Sequence, residues 1–226
     1  MLGPTETVEP RMSRPGQLGE FLDIRALSTA PDSTALVVKE MNHRWFNALS
    51  VISISLHLCA RRGDASDALR ATLVDLHVQI QAMAKMHRRL SEPPAAGASI
   101  EPYCRALCFD VLSCFGRNDI LPRLQFCDAR LPEACALKLG AIVVELMTNA
   151  VKHGRPDPSG GGVVWLALRP ADNGRLELAM TDNFAAPTCA TPPRPRLIEA
   201  LVRDLGGELE VMARPGYSTK IRLPQD

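Results

Sequence analysis

The feature that most constrains the fold is a long amphipathic helix that ends in a group of polar side chains. The run 132–153 begins with a proline, which suits the first turn of a helix, and Gly154 suits the position just past its end. Apolar residues recur along the run at spacings of three and four, namely at Leu139, Ile142, Val143, Leu146 and Ala150. This spacing predicts a helix that buries one face in a core.

Glu145, Asn149 and Lys152 recur at the same spacing and lie together beside that apolar face. A carboxylate, a carboxamide and an ammonium group at the rim of a packed helix could organise a metal ion and a polyphosphate. Mg²⁺ takes oxygen ligands and is usually bound by one or two side chains together with phosphate oxygens and water. The alternative is a helix whose polar stripe is merely solvated, and this segment alone does not separate the two interpretations.

The composition is that of an ordinary globular protein. Of 226 residues, 46% are hydrophobic and 23% are charged, and the formal net charge is +1. No global field therefore draws the chain to nucleic acid or to anionic lipid. The seven cysteines show no Cys-x-x-Cys spacing, which favours a reducing cytoplasm over a disulfide framework or a zinc site. No apolar run approaches the roughly 18 residues needed to span a bilayer, so we expect no membrane partner.

Three regions follow from the pattern of prolines, glycines and apolar spacing. We expect residues 1–32 to form a mobile N-terminal arm. An arm of this length is too short for a signal-detecting domain, so any sensor is expected on a separate protein. Residues 33–92 predict an antiparallel helical hairpin. After a Pro/Ala/Gly linker, residues 99–226 mix helices with mostly antiparallel strands, including a two-residue hairpin turn at Asn173-Gly174. The sequence therefore predicts an α+β fold, a helical hairpin followed by a two-layer α/β sandwich.

A lone hairpin cannot cover the apolar side chains of both its helices. In the first helix the predicted seam is Val38, Met41, Trp45, Ala48, Ile52, Ser55 and Cys59. In the second it is Leu69, Leu73, Leu76, Ile80, Met83, His87 and Leu90. Further apolar residues widen the face of the first helix, so pairing with a second copy into a dimeric four-helix bundle is expected.

His43 stands on the polar side of the first predicted helix. Asn47 and Ser50 follow it at spacings of four and three, and Glu40 precedes it by one turn. A neutral imidazole ring has a nucleophilic nitrogen, and Glu40 could orient the ring or accept its proton. A histidine beside an acid on a helix surface is more often a solvated pair, and that interpretation stays open at this point.

The order of these pieces resembles the sensor histidine kinases, in particular the subgroup in which an E-x-x-H-R-x-x-N phosphoacceptor helix precedes a gyrase-type ATP-binding domain. Residues 40–47 match that motif, from Glu40 through His43 and Arg44 to Asn47. Residues 145–153 resemble the N box of the family, and Asp182-Asn183 matches the start of its D-x-G-x-G box. The segment 201–224 resembles the closing helix and hairpin.

The resemblance implies a role for each matched residue. His43 would accept the γ-phosphoryl group of ATP, with Glu40 as a nearby base, and would pass it to an aspartate of a response-regulator receiver domain. Asn149 would bind Mg²⁺, with Glu145 in support. The other groups that the resemblance places around ATP are Lys152 and His153 near the phosphates and Asp182 at the adenine amino group.

Two departures from the family pattern concern nucleotide binding. After Asp182 the chain has Phe184 and two alanines where the family has glycines. Residues 191–196 are rich in proline where the family has a glycine-rich lid, and proline has no amide hydrogen to offer a phosphate. Arg194 and Arg196 could still grip phosphate through their side chains.

Three interpretations result. The first, favoured by the joint presence of the Asn149 and Asp182 groups, is a soluble, cytoplasmic, dimeric histidine kinase that uses ATP and Mg²⁺. The second is a histidine phosphotransferase that relays phosphate between receiver domains and binds no ATP. The third is a scaffold that uses the sandwich only to hold a signalling partner.

Overall fold

A computed structural model describes residues 31–61, 66–154, 161–184, 195–213 and 217–224. Almost all of the predicted N-terminal arm lies outside these ranges, and so does Arg194. The helices are α1 (Pro31–Ala60), α2 (Asp67–Ser91), α3 (Glu101–Phe115), α4 (Glu133–His153) and α5 (Arg196–Asp204). The strands are β1 (Ile120–Phe126), β2 (Gly162–Ala171), β3 (Arg175–Asp182), β4 (Glu208–Ala213) and β5 (Tyr217–Pro224).

The helices α1 and α2 form the predicted antiparallel hairpin. Ser66 caps α2, because its side-chain oxygen accepts a hydrogen bond from the backbone N–H of Leu69 at 3.3 Å. Asp67 in the first turn of α2 and two arginines in the last turn complement the helix dipole. The capping residue and the charges thus explain where the second helix begins and ends.

The seam between α1 and α2 differs in phase from the predicted one. Ile52 and Cys59 were expected in the seam, but both are exposed. The buried positions of α1 include two polar residues, Asn42 and Ser53, which form hydrogen bonds with histidines of α2. As a result, many large apolar side chains stay on the surface of the hairpin. They are Leu36, Val37, Val51, Ile52, Ile54 and Leu58 of α1 and Leu69, Val74, Leu76 and Val78 of α2.

The sheet has the strand order β1-β2-β3-β5-β4. β1 pairs in parallel with β2, and the other neighbours are antiparallel. A parallel pair needs a crossover connection, which α4 supplies. The turn between β2 and β3 has three residues, Asp172–Gly174, instead of the predicted two, and Gly174 supplies a positive φ of 67°.

Helices cover one face of the sheet, and the other face is open. Burial alternates along β2 and β3, so that Leu166 and Met180 are fully buried whereas Trp165 is exposed on the far side. α3 approaches α4 closely at Gly140, where a Cβ atom would lie 2.5 Å from the Tyr103 hydroxyl oxygen. The predicted α+β architecture, a helical hairpin followed by a two-layer sandwich, is confirmed.

Among the described residues, α4 is the one helix long and apolar enough to cross a bilayer. Its hydropathy therefore exceeds what we expected from the sequence. However, 61% of its most apolar window is buried inside the protein, and Leu139, Ile142 and Val143 are completely covered. This burial is typical of the core helix of a two-layer domain.

Ion pairs join the hairpin to the sandwich at two places. Asp110 of α3 is buried and contacts Arg89 at 2.7 Å and Lys85 at 3.1 Å, both from α2. Lys39 of α1 contacts Glu133, the first residue of α4, at 3.1 Å. The division of the chain into two domains at the linker stays a prediction.

Candidate functional site

His43 is exposed on α1, and Asn47 is its hydrogen-bond partner. The Asn47 Nδ2 atom lies 3.3 Å from the His43 Nδ1 atom. Residues four apart on a helix are neighbours, so the spacing of the motif itself brings these two side chains together. Because Asn47 engages Nδ1, Nε2 is the ring nitrogen that remains for an electrophile.

Glu40, the expected base near His43, is paired with Arg44. The Arg44 Nε atom donates to Glu40 Oε1 at 2.8 Å. This hydrogen bond, and then the charge of Arg44, hold the pKa of the Glu40 carboxyl below its usual value, with a smaller contribution from His43. Glu40 is therefore ionised at neutral pH, and its role as a base stays a prediction.

Asn149 and Glu145 form a hydrogen-bonded pair on the half-buried side of α4. The Asn149 Nδ2 atom donates to Glu145 Oε1 at 3.2 Å. This bond uses the nitrogen of the Asn149 amide and leaves its oxygen, Oδ1, for another partner. Amide and carboxylate oxygens suit Mg²⁺, which takes the rest of its ligands from phosphate and water. The pair therefore fits a magnesium–polyphosphate site, although the described residues contain no cluster of three His, Cys, Asp or Glu side chains that would hold a metal alone.

Lys152 and His153 lie exposed in the last turn of α4. The Lys152 Nζ atom is 5.9 Å from the centroid of the Phe115 ring, a cation–π distance, so this side chain is directed toward α3. Arg117 holds the same helix end, because its Nη1 atom donates to the Val151 carbonyl at 2.7 Å. We did not expect Arg117 at the site, since a loop residue has no periodicity that would reveal its partner.

Asp182 ends β3 in a buried position, and its Oδ1 atom accepts a hydrogen bond from the Phe184 N–H at 3.2 Å. The Phe184 ring packs on the backbone of Gly154 and Gly162. A Cβ atom at these glycines would lie only 2.4 Å and 2.0 Å from the ring. Phe184 therefore closes the space between the end of α4 and the start of β2, at a position where the family pattern has glycine.

Of the two arginines expected at the lid, Arg196 is the exposed first residue of α5, whereas Arg194 lies outside the described residues. The role of both in binding phosphate stays a prediction. The roles expected of the other site residues likewise stay predictions.

The His43 group and the Asn149 group belong to different parts of the structure. α1 meets α4 through Lys39 and Glu133, at the N-terminal end of α4. Asn149 lies sixteen residues further along the helix, which is about 24 Å of helix rise. In the described part of the chain no hydrogen bond or ion pair joins the two groups.

Comparison with known proteins gives a family for the first part of the chain. Residues 40–115 match the family model HisKA_2, which is described as a histidine kinase. No curated protein matches the chain.

Solved structures extend the comparison to most of the chain. The histidine kinase domain of a blue-light activated histidine kinase from Erythrobacter litoralis EL346 has 21% identity and a TM-score of 0.54, over 85% of this chain and 94% of that chain. A longer chain of the same kinase has 21% identity and a TM-score of 0.52, over 80% of this chain and 63% of that chain.

The fold is therefore that of a histidine kinase domain, an α+β arrangement of a helical hairpin and a sandwich. Together with the family match, it supports a histidine kinase of the two-component type, and the resemblance to sensor histidine kinases is confirmed. At this level of identity the structural likeness establishes the fold alone, so activity and ligands are matters of proposal.

Two further polar residues lie behind His43, namely Asn42 and His87. Neither was expected to be functional. Asn42 lies at helical spacing between the apolar residues Val38 and Phe46, and His87 was placed in the seam simply as one of its members. A polar residue at an interior position of each facing helix is the signal that could have revealed them.

Proposed function

We propose that the chain is a cytoplasmic, homodimeric histidine kinase that uses ATP and Mg²⁺ to phosphorylate His43. The phosphoryl group then passes to an aspartate of a response-regulator receiver domain. The observation that carries the proposal is the exposed His43 ring, engaged at Nδ1 by Asn47. The family match over residues 40–115 supports it, because that segment contains both residues.

In the first step the Nε2 lone pair of His43 attacks the γ-phosphorus of ATP. The N–P bond forms while the bond from this phosphorus to the β,γ-bridging oxygen breaks, and ADP leaves with that electron pair. Attack by Nε2 requires the ring proton on Nδ1, so the Asn47 amide must accept it through Oδ1, which a 180° rotation of the amide provides. The Nδ1 proton of the phosphorylated ring then passes to Glu40 or to solvent.

Asn149 would hold Mg²⁺ through Oδ1, with Glu145 fixing the amide. Mg²⁺, when bound, neutralises charge on the phosphates of the nucleotide. Lys152 would have to leave the Phe115 ring to reach a phosphate. The other groups that we propose around ATP are His153, Asp182, Arg194 and Arg196.

In the second step a carboxylate oxygen of the receiver aspartate attacks the phosphorus on His43. The N–P bond breaks, its electron pair returns to Nε2, and the ring takes up a proton from solvent to become neutral again. The exposed apolar side chains of the hairpin support a dimer, because a four-helix bundle would cover them. In such a dimer the sandwich of one copy could serve the histidine of the other.

A histidine phosphotransferase is the second candidate, and Phe184 favours it. Its N–H takes one oxygen of Asp182, and its ring fills the space against Gly154 and Gly162. An adenine amino group would have to reach Asp182 past this packed segment. A chain without nucleotide would accept phosphate at His43 from one receiver and return it to another.

Incubation with γ-labelled ATP and Mg²⁺ separates the two candidates. For the kinase we expect acid-labile label on the wild-type chain and none on His43→Ala. Asn149→Ala should lower labelling about 100-fold or more, as the loss of a group that stabilises transferred charge does. His57→Ala and Asn118→Ala, two exposed positions of the same residue types, are the matched controls and should keep the label.

A wild-type chain that takes no label from ATP but takes phosphate from a phosphorylated receiver would establish the phosphotransferase. A chain that takes phosphate from neither donor would contradict both candidates and leave the scaffold interpretation.

A further inference from the structure

We propose that Asn42 and His87 are positioning residues for phosphoryl transfer at His43. They form a hydrogen bond across the seam of the hairpin, next to the proposed phosphate acceptor His43. This bond sets the rotation of α1 about its own axis. The direction of the His43 side chain depends on that rotation. The inference rests on the proposed function, since the direction of the His43 ring matters for transfer only if His43 accepts phosphate.

The Asn42 amide is satisfied at both ends. Its Nδ2 atom donates to the Val38 carbonyl at 2.8 Å. Its Oδ1 atom lies 2.7 Å from His87 Nδ1, and because Oδ1 can only accept, the proton of this bond is on His87. Asn42 is 8% exposed, so water offers little replacement for a lost bond. The amide therefore has one favourable orientation, with α2 as its reference.

His87 is itself held in place from two sides. Its ring is stacked on Trp45, with 6.2 Å between the ring centroids and 22° between the planes. Its carbonyl accepts a hydrogen bond from the Ser91 hydroxyl at 3.0 Å. That hydroxyl also lies 3.5 Å from the Lys39 carbonyl, which in an α-helix is the acceptor for the backbone N–H of His43. α2 thus contacts α1 at three residues on either side of His43, namely Lys39, Asn42 and Trp45.

The geometry of the helix converts this contact into a direction. Consecutive residues of an α-helix are about 100° apart around the axis, so Asn42 facing α2 turns His43 by about that angle away from the seam. Apolar contact is not directional, whereas a hydrogen bond loses its strength within a few tenths of an ångström and a few tens of degrees. A rotation of about 20° would move an atom at the outer radius of the helix by about 2 Å. A misplacement of that size is enough to slow a transfer about 100-fold.

A second polar layer of the same hairpin provides a matched control. Ser53 is buried, and its hydroxyl lies 2.9 Å from His77 Nδ1. This pair also joins α1 to α2 through a histidine, but it lies eleven residues from Asn42, about 16 Å along α1. A general role in hairpin stability would make both layers equivalent, whereas a positioning role belongs to the Asn42 layer alone.

The test compares four variants with the wild-type full-length chain. Asn42→Leu combined with His87→Phe removes the hydrogen bond but keeps an apolar filling and a ring on Trp45, and replacing both partners in this way is close to neutral for folding. His87→Asn keeps a donor near the place of Nδ1. Ser53→Ala with His77→Phe changes the control layer. His43→Ala defines the background.

Three quantities are measured, namely labelling of His43 by phosphoramidate, transfer to His43 from ATP or from a phosphorylated receiver, and the NMR signal of the His43 ring. For the Asn42→Leu/His87→Phe variant we expect normal labelling by phosphoramidate, because this small donor can reach the exposed His43 ring in any orientation. We expect kcat for transfer to fall at least tenfold with little change in KM, and the His43 signal to shift or broaden. His87→Asn, which keeps a donor, should retain most of the wild-type rate. The Ser53→Ala/His77→Phe variant should change neither the rate nor the His43 signal.

Normal transfer and an unchanged His43 signal in the Asn42→Leu/His87→Phe variant would overturn the inference, and so would an equal loss in the control layer. If the wild-type chain takes phosphate from no protein or nucleotide donor, the proposed function fails. The NMR signal then tests the direction of the ring alone: an unchanged signal shows that Asn42 and His87 do not set the direction of His43, and a changed one shows that they do.

Discussion

Asn42 and His43 are adjacent in the chain and face in different directions. Asn42 is buried in the hairpin seam, where it binds His87, whereas His43 is exposed beside Asn47. The motif spacing was enough to predict that His43 and Asn47 share a stripe, because residues four apart on a helix are neighbours. It was not enough to predict the burial of Asn42, since burial of an amide depends on a partner from another helix.

The first prediction concerns the pH dependence of stability. Burial lowers the pKa of His87 from 6.5 to about 4. As the pH falls, the unfolded chain therefore binds this proton before the folded chain does. The stability that the neutral ring provides is complete above pH 6.5 and is lost as the pH falls from 6.5 toward 4.

From this shift we expect the wild-type chain to lose about 2 kcal/mol of unfolding free energy through His87 between pH 7.5 and pH 5. Urea unfolding at the two pH values measures the loss, and His87→Asn should reduce it by that amount because asparagine does not titrate. His57→Asn, at an exposed position of α1, should leave it unchanged. An equal loss in wild type and His87→Asn would contradict the assignment.

At the scale of elements, most helices and strands could be predicted, because their apolar periods are regular and their ends have clear signals such as Ser66. The physical reason for a residue at a helix end was not always the expected one. Gly154 was predicted as a helix stop, yet its φ is −66°, so left-handed freedom is not what it supplies. A side chain there would collide with the Phe184 ring. Such long-range contacts, like the phase of the α1 seam, are decided by partners that are distant in the chain.

The second prediction tests the contact that locks the end of β3 to α4 and β2. Gly162→Ala would place a Cβ atom 2.0 Å from the Phe184 ring, so it should lower the unfolding free energy by about 1–3 kcal/mol. Phe184→Ala alone should lower it by about 3–5 kcal/mol through the cavity that it leaves. In the Phe184→Ala background the added methyl group has room, so the effect of Gly162→Ala should vanish or change sign.

A double-mutant cycle in urea measures this coupling. Gly161→Ala is the matched control, because a Cβ atom there would meet nothing nearer than the Asp119 carbonyl oxygen at 3.9 Å. An equal cost of Gly162→Ala with and without Phe184 would show that the ring does not occupy this space.

At the scale of the whole molecule, the collinear order of hairpin, core helix and sheet made the fold predictable, since each piece has an apolar face that the others cover. The relation between the two candidate groups was not predictable. His43 and Asn149 lie on helices that meet near Glu133, about 24 Å of helix rise from Asn149. A linker without periodicity contains no information about how the hairpin and the sandwich are oriented.

The third prediction concerns assembly. Ile52, on the apolar surface of the hairpin, and Leu121, on the open face of the sheet, are exposed to 47% and 49%. If the hairpin pairs with a second copy, Ile52→Asp buries a charge in the interface and should convert the dimer to a monomer, whereas Leu121→Asp should leave the dimer intact. Sedimentation equilibrium measures both. A monomeric wild-type chain, or equal effects of the two variants, would contradict the proposed bundle.

The most direct test of the central claim is to locate the phosphate. The wild-type chain would be phosphorylated by ATP or by a phosphorylated receiver, digested at neutral pH to preserve the N–P bond, and mapped by mass spectrometry. We expect a single phosphorylated residue, His43, with none at the other described histidines, His57, His77, His87 and His153. Phosphate on any residue other than His43, with His43 unmodified, would contradict the account.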